Sequence, residues 1–274
     1  MILSQKVIEL KDDQIKLIKS GWGNKTAEKT SVESIVYDSD GYKVNGYIAK
    51  PLNIKEKLPL IIWNRGGYKN DGRIDEFLAR GMFGEIASWG YIVLATNYRD
   101  ADEFGGKDVD DVMNLLKLSD EIPECDVSKI GMEGWSRGGM MTYKALTLTD
   151  RIQCAVIISG LADVERSIKE EKVLVNTFAK LFGSKDSYEN KKKIKETSAV
   201  SFYKEINKDT AILLIHGNED GNISYRDSED MYRLLNKNGN LCRLELIEGG
   251  DHYLKRQRKI VTDLRRNWFN RFLK

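Results

Sequence analysis

The sequence predicts an α/β fold with a mostly parallel central sheet and helices on both faces. Residues 58–63, 91–96 and 211–215 are continuous apolar runs, which are typical of strands buried on both faces. Segments with helical apolar spacing, such as residues 108–118, lie between such runs. Strands that alternate with helices favour a parallel sheet joined by right-handed crossovers.

Further elements follow along the chain. Residues 31–37 and 42–49 are rich in Val, Ile and Tyr and are joined by Asp-Ser-Asp-Gly, which predicts a β-hairpin. The remaining strands are predicted at residues 130–133, 153–159 and 241–247, and the remaining helices at residues 77–89, 140–148, 225–236 and 261–272. In the helix at residues 108–118, Asp108, Asp110 and Asp111 are interpreted as capping and solvated charge.

Two segments depart from this alternation. Residues 1–30 are weakly patterned and form an N-terminal extension to which the sequence assigns no role. Residues 161–203 are charged and mix helical apolar spacing with turn residues, which favours a small helical cap or lid over the carboxyl edge of the sheet. The run Lys191, Lys192 and Lys193 in this cap is interpreted as a solvated helix face. The whole chain, residues 1–274, is expected to form a single domain.

Composition narrows the range of functions. The 44 Lys and Arg residues nearly balance 42 Asp and Glu residues, and a net charge of +2 does not indicate nucleic-acid binding. No stretch reaches the roughly 18 apolar residues of a membrane span, and charges at Lys6 and Glu9 interrupt any signal peptide, so a cytoplasmic location is expected. The three cysteines are widely spaced, without a clustered Cys/His pattern, so we expect no metal and no cofactor.

Residues 134–138, Gly-Trp-Ser-Arg-Gly, fit the pattern G-x-S-x-G between a predicted strand and a predicted helix. In a nucleophile elbow the serine occupies a strained turn, and the flanking glycines let neighbouring backbone approach closely. The following helix directs its N-terminal amides toward Ser136, where they favour an oxyanion. The same five residues could also occur by chance in a loop, so the motif needs support from a base and an acid.

A serine hydroxyl becomes a strong nucleophile when a base takes its proton, and the chain has only two histidines. His252 lies in a loop after the last predicted strand, from which its imidazole could reach Ser136. His216 ends a buried strand and is interpreted as a structural residue that hydrogen-bonds near the site. Asp220 follows that strand and emerges at the same carboxyl edge as Ser136. The chain order Ser136, Asp220, His252 therefore predicts a nucleophile, an orienting acid and a base.

Alternatives and additional site residues accompany this triad. Glu219 and Asp251 are rival candidates for the orienting acid because each neighbours a triad residue. The N–H of Arg137 is predicted to donate to the oxyanion, together with the N–H of Gly67 or Tyr68 in the glycine-containing loop after residues 58–63. The candidates for substrate binding are Trp135 and Phe202, which could line an apolar site or belong to the core, and Arg65, which could bind a carboxylate, as could the side chain of Arg137.

These motifs resemble the α/β-hydrolase domain of the prolyl oligopeptidase family and its single-domain relatives, including dienelactone-hydrolase-like esterases. The resemblance extends from about residue 31 to the C-terminus. The segments on which the resemblance rests are Arg65-Gly66-Gly67-Tyr68, Asn97-Tyr98-Arg99, Gly134-Trp135-Ser136-Arg137-Gly138-Gly139, His216-Gly217-Asn218-Glu219-Asp220 with Ile223, and Gly250-Asp251-His252. Two departures stand out: Arg65 precedes the glycines where the family often has a histidine or tyrosine, and residues 1–30 are too few for the N-terminal propeller of many family peptidases.

The resemblance implies an α/β-hydrolase fold and a serine hydrolase that uses Ser136, Asp220 and His252. Its expected partner is a small-molecule or short-peptide substrate, cleaved at a peptide amide or a carboxylic ester through an acyl-enzyme. A carboxylesterase, an acyl transferase and a non-catalytic binding protein of the same fold are the alternatives. Neither a nucleic acid nor a membrane is an expected partner, and the sequence does not indicate an oligomeric state.

Overall fold

A computed structural model describes residues 1–100, 103–170, 172–182 and 188–274. The strands in these residues are β1 (Ile2–Val7), β2 (Thr30–Ser39), β3 (Tyr42–Pro51), β4 (Leu58–Asn64), β5 (Ile92–Thr96), β6 (Cys125–Trp135), β7 (Ile152–Ile158), β8 (Ala211–Gly217) and β9 (Cys242–Ile247). They form a sheet in the order β1-β2-β3-β5-β4-β6-β7-β8-β9. The strands from β5 to β9 in this order are parallel, and β1, β2 and β3 are added at one edge by antiparallel pairing. The predicted, mostly parallel α/β sheet is confirmed.

Helices cover both faces of this sheet, as predicted. The helices in the described residues are α1 (Asp12–Trp22), α2 (Asn24–Glu28), α3 (Glu76–Ser88), α4 (Asp108–Leu118), α5 (Arg137–Ala145), α6 (Val164–Glu170), α7 (Lys172–Phe182), α8 (Tyr188–Thr197), α9 (Ala199–Phe202), α10 (Arg226–Asn238) and α11 (Arg258–Leu273). The apolar sides of α3 and α11 pack on one face of the sheet. Those of α4, α5 and α10 pack on the other face.

The N-terminal extension is integrated into this body, which its weak sequence pattern did not reveal. Strand β1 pairs with β2 and forms an edge of the sheet. Helices α1 and α2 pack against α3, where the guanidinium of Arg80 donates to the carbonyl oxygens of Thr26 at 2.6 Å and Ala27 at 2.7 Å. These contacts join segments that are about fifty residues apart, so they leave no local periodicity in the sequence.

The segment predicted as a cap contains helices α6 to α9, while residues 171 and 183–187 lie outside the described residues. Its first residues are tied to α10 through the buried carboxylate of Asp227. That carboxylate accepts the N–H groups of Ala162 and Asp163, each at 2.8 Å, and pairs with Arg166 at 2.9 Å. The start of the segment is therefore anchored beside the carboxyl edge of the sheet.

Two aspartates of α4 correct the sequence interpretation. Asp108 and Asp111 are fully buried and are not solvated, whereas Asp110 is exposed as expected. The carboxylate of Asp111 pairs with Arg99 at 2.7 Å and accepts the hydroxyl of Ser39 at 2.6 Å. Buried carboxylates require such partners because desolvation strongly disfavours an unpaired charge. Asp108 also pairs with an arginine, Arg137, in the candidate site.

A buried ion pair joins the sheet to α11. The Glu133 carboxylate on β6 accepts two hydrogen bonds from the Arg265 guanidinium, at 2.7 and 3.0 Å, and one from the indole N–H of Trp63 at 2.9 Å. Replacing Arg265 with Met would leave this carboxylate buried without its cation. We therefore expect Arg265→Met to lower the free energy of unfolding by about 3–5 kcal/mol, measured by urea denaturation.

The neighbouring Arg266 provides a matched control for this prediction. Its side chain is 43% exposed and pairs with Asp263 at 2.7 Å, so Arg266→Met should lower the free energy of unfolding by less than about 1 kcal/mol. The double variant Glu133→Gln/Arg265→Met should regain part of the loss because no uncompensated charge remains. Equal effects of the two single substitutions would contradict the expectation.

Three further features that the sequence analysis addressed are membrane-spanning helices, metal sites and cysteines. None of the helices in this part of the chain has both the length and the apolar character that a membrane crossing requires. Within the same residues, no group of three or more His, Cys, Asp or Glu side chains is arranged to hold a metal ion. The three cysteines, Cys125, Cys154 and Cys242, are buried free thiols.

Candidate active site

Ser136 lies in a sharp turn between β6 and α5. Its backbone has φ 58° and ψ −122°, a conformation that residues other than glycine rarely adopt. The turn is held from β7 because the N–H of Ser136 donates to the Ile158 carbonyl at 2.9 Å. A Cβ atom at Gly138 would collide with the carbonyl oxygen of Asn64, so only glycine allows this approach. Helix α5 begins at Arg137, three residues before its predicted start, and its N-terminus faces the serine.

The imidazole of His252 lies near this turn and is held by Asp220. Nδ1 of His252 is 2.8 Å from Oδ2 of Asp220. Because an ionised carboxylate can only accept a hydrogen bond, Nδ1 carries the proton and Nε2 is left as the basic nitrogen. His252 and Ser136 line the same cavity. The structure thus brings together the three residues that the sequence predicts as nucleophile, acid and base.

The side chain of Asp220 is fully buried and lies at the centre of a hydrogen-bond network. Besides His252, its Oδ2 accepts from Nε2 of His216 at 3.1 Å, while Oδ1 accepts the N–H groups of Asn222 and Ile223 at 2.8 and 3.0 Å. Burial disfavours the charged form, but the hydrogen bonds from the two histidines outweigh burial and hold the pKa of Asp220 below its usual range. The stabilisation that this carboxylate provides is therefore present above about pH 4 and is lost as the pH falls through the depressed pKa.

His216 supports Asp220 from the side opposite to solvent. It is fully buried, and its Nε2 lies near two acceptors, the Asp220 carboxylate and the Ile223 carbonyl oxygen at 3.2 Å. Nε2 therefore carries the proton, and Nδ1 accepts the hydroxyl of Ser228 at 2.7 Å. Both ring nitrogens are engaged within the protein, which fits the interpretation of His216 as a structural residue beside the site.

Asp251 and Glu219, the rival candidates for the orienting acid, make other contacts. The Asp251 carboxylate accepts the N–H groups of Tyr253 and Leu254, at 3.1 and 2.7 Å, and so caps the turn that follows His252. Glu219 contributes its backbone, since its N–H donates to the Gly250 carbonyl oxygen at 3.0 Å. Asp220 is the carboxylate that contacts His252.

The glycine-containing loop between β4 and α3 passes directly over Ser136. A Cβ atom at Gly66 would lie 2.9 Å from the Trp135 carbonyl oxygen and 3.1 Å from Cβ of Ser136. Gly67 has φ 73°, which favours glycine. The carbonyl oxygen of Gly66 accepts from Arg65 at 3.0 Å and that of Gly67 from Arg137 at 2.9 Å. In a planar trans peptide the following N–H points the opposite way, so the N–H groups of Gly67 and Tyr68 point away from the guanidiniums.

Arg65 has a different role from the predicted contact with a substrate. It is 2% exposed, and its guanidinium donates to the carbonyl oxygens of Lys69, Asp71 and Asn97 at 2.9–3.2 Å as well as to Gly66. A guanidinium enclosed by backbone carbonyls cannot also bind a substrate carboxylate. The structure therefore corrects this prediction: Arg65 is a clamp that fixes the course of the loop.

The side chain of Arg137 is a second clamp that the sequence did not indicate. It is equally buried, pairs with Asp108, and stacks over the rings of Tyr98 and Phe104 at 4.9 and 4.8 Å. The sequence predicts that the backbone N–H of Arg137 donates to the oxyanion, and it leaves open that the side chain binds a substrate carboxylate. Its burial argues against the second role. Two aspartates three residues apart at the start of α4 offered a weak signal for a buried cation partner.

A cavity of about 880 Å³ surrounds Ser136 and His252. Trp135 lines it, as expected, and the indole N–H donates to the His252 carbonyl oxygen at 3.1 Å. Phe202 does not lie among the described residues that line this cavity. It is buried in the core, with Nζ of Lys144 4.7 Å from its ring centroid, so of the two alternatives for Phe202 the core position is the one observed. The cavity is also lined by residues that the sequence did not single out, including Phe104, Leu161, Thr177 and Ile223.

Comparisons with known proteins place this chain in a family. Residues 83–274 match the model of the prolyl oligopeptidase family. The uncharacterized peptidase YtmA of Bacillus subtilis (strain 168) is 27% identical over 215 residues, which cover 74% of this chain and 80% of that relative.

Solved structures share the fold. The acylaminoacyl peptidase of Pyrococcus horikoshii superposes with a TM-score of 0.79 at 22% identity, over 97% of this chain and 45% of that chain. A puromycin hydrolase superposes with a TM-score of 0.76 at 17% identity, over 89% of this chain and 39% of that chain. The present chain thus spans less than half the length of these two proteins. Since the family model matches most of its length, the chain belongs to the prolyl oligopeptidase family of serine hydrolases.

Proposed function

We propose that this protein cleaves a short peptide amide or a carboxylic ester through an acyl-enzyme, with Ser136, Asp220 and His252 as its catalytic triad. One observation carries the proposal: the His252 imidazole, held by Asp220 at 2.8 Å, lines the same cavity as the strained Ser136. The relatives named as a peptidase and an acylaminoacyl peptidase favour a peptide amide over an ester.

In acylation, Oγ of Ser136 attacks the substrate carbonyl carbon while Nε2 of His252 takes the hydroxyl proton. The resulting imidazolium is stabilised by the Asp220 carboxylate. The N–H groups of Arg137 and of Gly67 or Tyr68 would donate to the oxyanion of the tetrahedral intermediate. When the bond to the leaving group breaks, Nε2 returns the proton to the leaving nitrogen or oxygen. A water molecule then attacks the acyl-enzyme by the same route and releases the acid.

The clamp formed by Arg65 predicts a kinetic effect at a distance from the substrate. A lysine has one compact ammonium and cannot hold the three loop carbonyls of Gly66, Lys69 and Asp71 that the planar guanidinium reaches. Loosening of the loop would misplace an oxyanion donor, and loss of one such donor lowers kcat by about 10²–10³-fold. We expect Arg65→Lys to lower kcat by about 10–100-fold with a much smaller change in KM, measured with p-nitrophenyl acetate.

Arg73 serves as the control for this prediction because it lies in the same loop, between β4 and α3. Its guanidinium is partly exposed and pairs with the exposed Asp100 at 3.0 Å. Arg73→Lys should leave kcat within about twofold of the unsubstituted protein. If Arg65→Lys raised KM alone, the loop would not act on the transition state.

A fluorophosphonate probe tests the proposed function without knowledge of the natural substrate. The probe phosphonylates a serine only when its hydroxyl is activated, and mass spectrometry identifies the labelled residue. We expect labelling at Ser136 that is lost in His252→Ala. Failure of the folded protein to react, or labelling that persists in His252→Ala, would overturn the proposed serine–histidine mechanism.

A further inference from the structure

The cavity around Ser136 continues past Trp135 into a space between α3 and α11, which we call the α3–α11 crevice. The residues around this space include Trp63 on β4 and Glu133 on β6, which are both buried. Trp22, Leu78, Met82 and Val261 line its sides. The cavity therefore offers room well beyond the two atoms of a scissile bond.

The part of the cavity that leads to the α3–α11 crevice lies beside His252, the proposed base. His252 and the three residues that follow it, Tyr253, Leu254 and Lys255, all line the cavity. Because the protonated imidazole must give its proton to the departing atom, the leaving group has to depart on the side of His252. The crevice therefore lies where the leaving group, and not the acyl group, is expected.

The walls of the crevice are apolar, and its charges are paired with one another. Glu133 pairs with Arg265 at 2.7 Å, and Glu85 pairs with Arg258 at 2.8 Å. The guanidinium of Arg258 also stacks over Trp22, 5.1 Å from its ring centroid. Such surroundings favour an apolar side chain, since the paired groups leave no net charge to be compensated.

The exposed rim of this part of the cavity is positively charged, whereas the crevice is apolar. Lys255 is exposed, lies 5.1 Å from the ring centroid of Tyr253, and forms no ion pair with any of the described residues. The Lys255 ammonium lines the cavity next to the base, so it makes the potential at this rim favourable for an anion.

We propose that the leaving group is the C-terminal residue of a short peptide, with an apolar side chain in the α3–α11 crevice and a free α-carboxylate paired with Lys255. The inference rests on the proposed function and adds the substrate class to it. In the reaction the peptide C–N bond breaks, the nitrogen gains a proton from His252, and the released product is an amino acid.

Matched substrates separate the two parts of this inference. The free acid of N-acetyl-Ala-Phe is compared with its C-terminal amide, because they differ only in the charge that Lys255 would bind. We expect kcat/KM for the acid to exceed that for the amide by about twofold to fivefold, as for an exposed ion pair, and the preference to shrink with added salt. Lys255→Ala should abolish the preference and Lys255→Glu should reverse it, whereas Lys237→Ala, at an exposed position on α10, should preserve it.

The crevice is tested by changing the leaving residue. N-acetyl-Ala-Phe should be cleaved at least about tenfold faster than N-acetyl-Ala-Gly, in line with burial of an aromatic side chain. Met82→Trp, which fills the crevice, should reduce this ratio. An amide preferred to the acid, or ratios that do not change in the Lys255 and Met82 variants, would overturn the inference. If fluorophosphonate also failed to label Ser136, the proposed function itself would fall; with labelling intact, only the leaving-group site would.

Discussion

Ser136→Ala is expected to lower kcat by about 10⁵- to 10⁶-fold, the range seen when the nucleophile of a serine hydrolase is removed. The substitution deletes the oxygen that forms the acyl-enzyme, while the remaining oxyanion donors and the binding surface retain a small residual rate. The methyl group of alanine fits the space of the serine side chain, so the turn between β6 and α5 should persist. Burst-phase kinetics with p-nitrophenyl acetate measure both the loss of turnover and the loss of the acyl-enzyme.

Ser128 lies on the same strand, β6, and is a suitable control because its side chain is exposed and its hydroxyl donates to the nearby Asp126 carboxylate at 2.6 Å. Ser128→Ala should leave kcat unchanged. Residual activity of Ser136→Ala above a few per cent, with the fold intact by circular dichroism, would mean that another nucleophile performs the reaction.

Asp220→Asn is expected to lower kcat by about 10⁴-fold. The amide oxygen of asparagine would remain toward the N–H groups of Asn222 and Ile223, which can only donate. Its NH₂ group would then face Nδ1 of His252 and force the imidazole into the tautomer that carries its proton on Nε2. An imidazole protonated on Nε2 cannot take the proton of Ser136. Pre-steady-state acylation rates would measure this loss directly.

Asp251→Asn distinguishes the two aspartates near His252. Its carboxylate caps the turn at Tyr253 and Leu254, a role that asparagine also fills, so kcat should change by less than about threefold. A loss in Asp251→Asn as large as that in Asp220→Asn would reassign the orienting acid.

Much of the architecture is encoded locally. The apolar runs of β4, β5 and β8 and the helical spacing of α4 repeat over short distances, so burial on one or both faces is readable without coordinates. The elbow is similarly local, because the flanking glycines and the serine lie within five residues. Ser136, Asp220 and His252 each follow a predicted strand, so the sequence places all three at one edge of a parallel sheet.

Local sequence patterns did not indicate which groups the charged side chains contact. Arg65 is enclosed by carbonyls from its own loop and from Asn97, and Asp111 meets Ser39 across the sheet edge. A long side chain can reach in many directions, and which carbonyl or carboxylate it meets depends on how distant segments pack. For the same reason, the sequence predicted that Arg65 could bind a substrate, whereas the structure shows its guanidinium buried among backbone carbonyls.

The sequence by itself determined the strands and the helices that alternate with them, and it singled out the residues proposed as nucleophile, acid and base. Tertiary structure alone decided that residues 1–30 supply an edge strand, that Phe202 belongs to the core, and that the cavity continues into the α3–α11 crevice. Periodicity and motif spacing report contacts within a few residues, because they reflect backbone geometry repeated along one element. Cavities, clamps and edge pairing arise between elements that are distant in the chain, and their free energies are set by packing that no local pattern records.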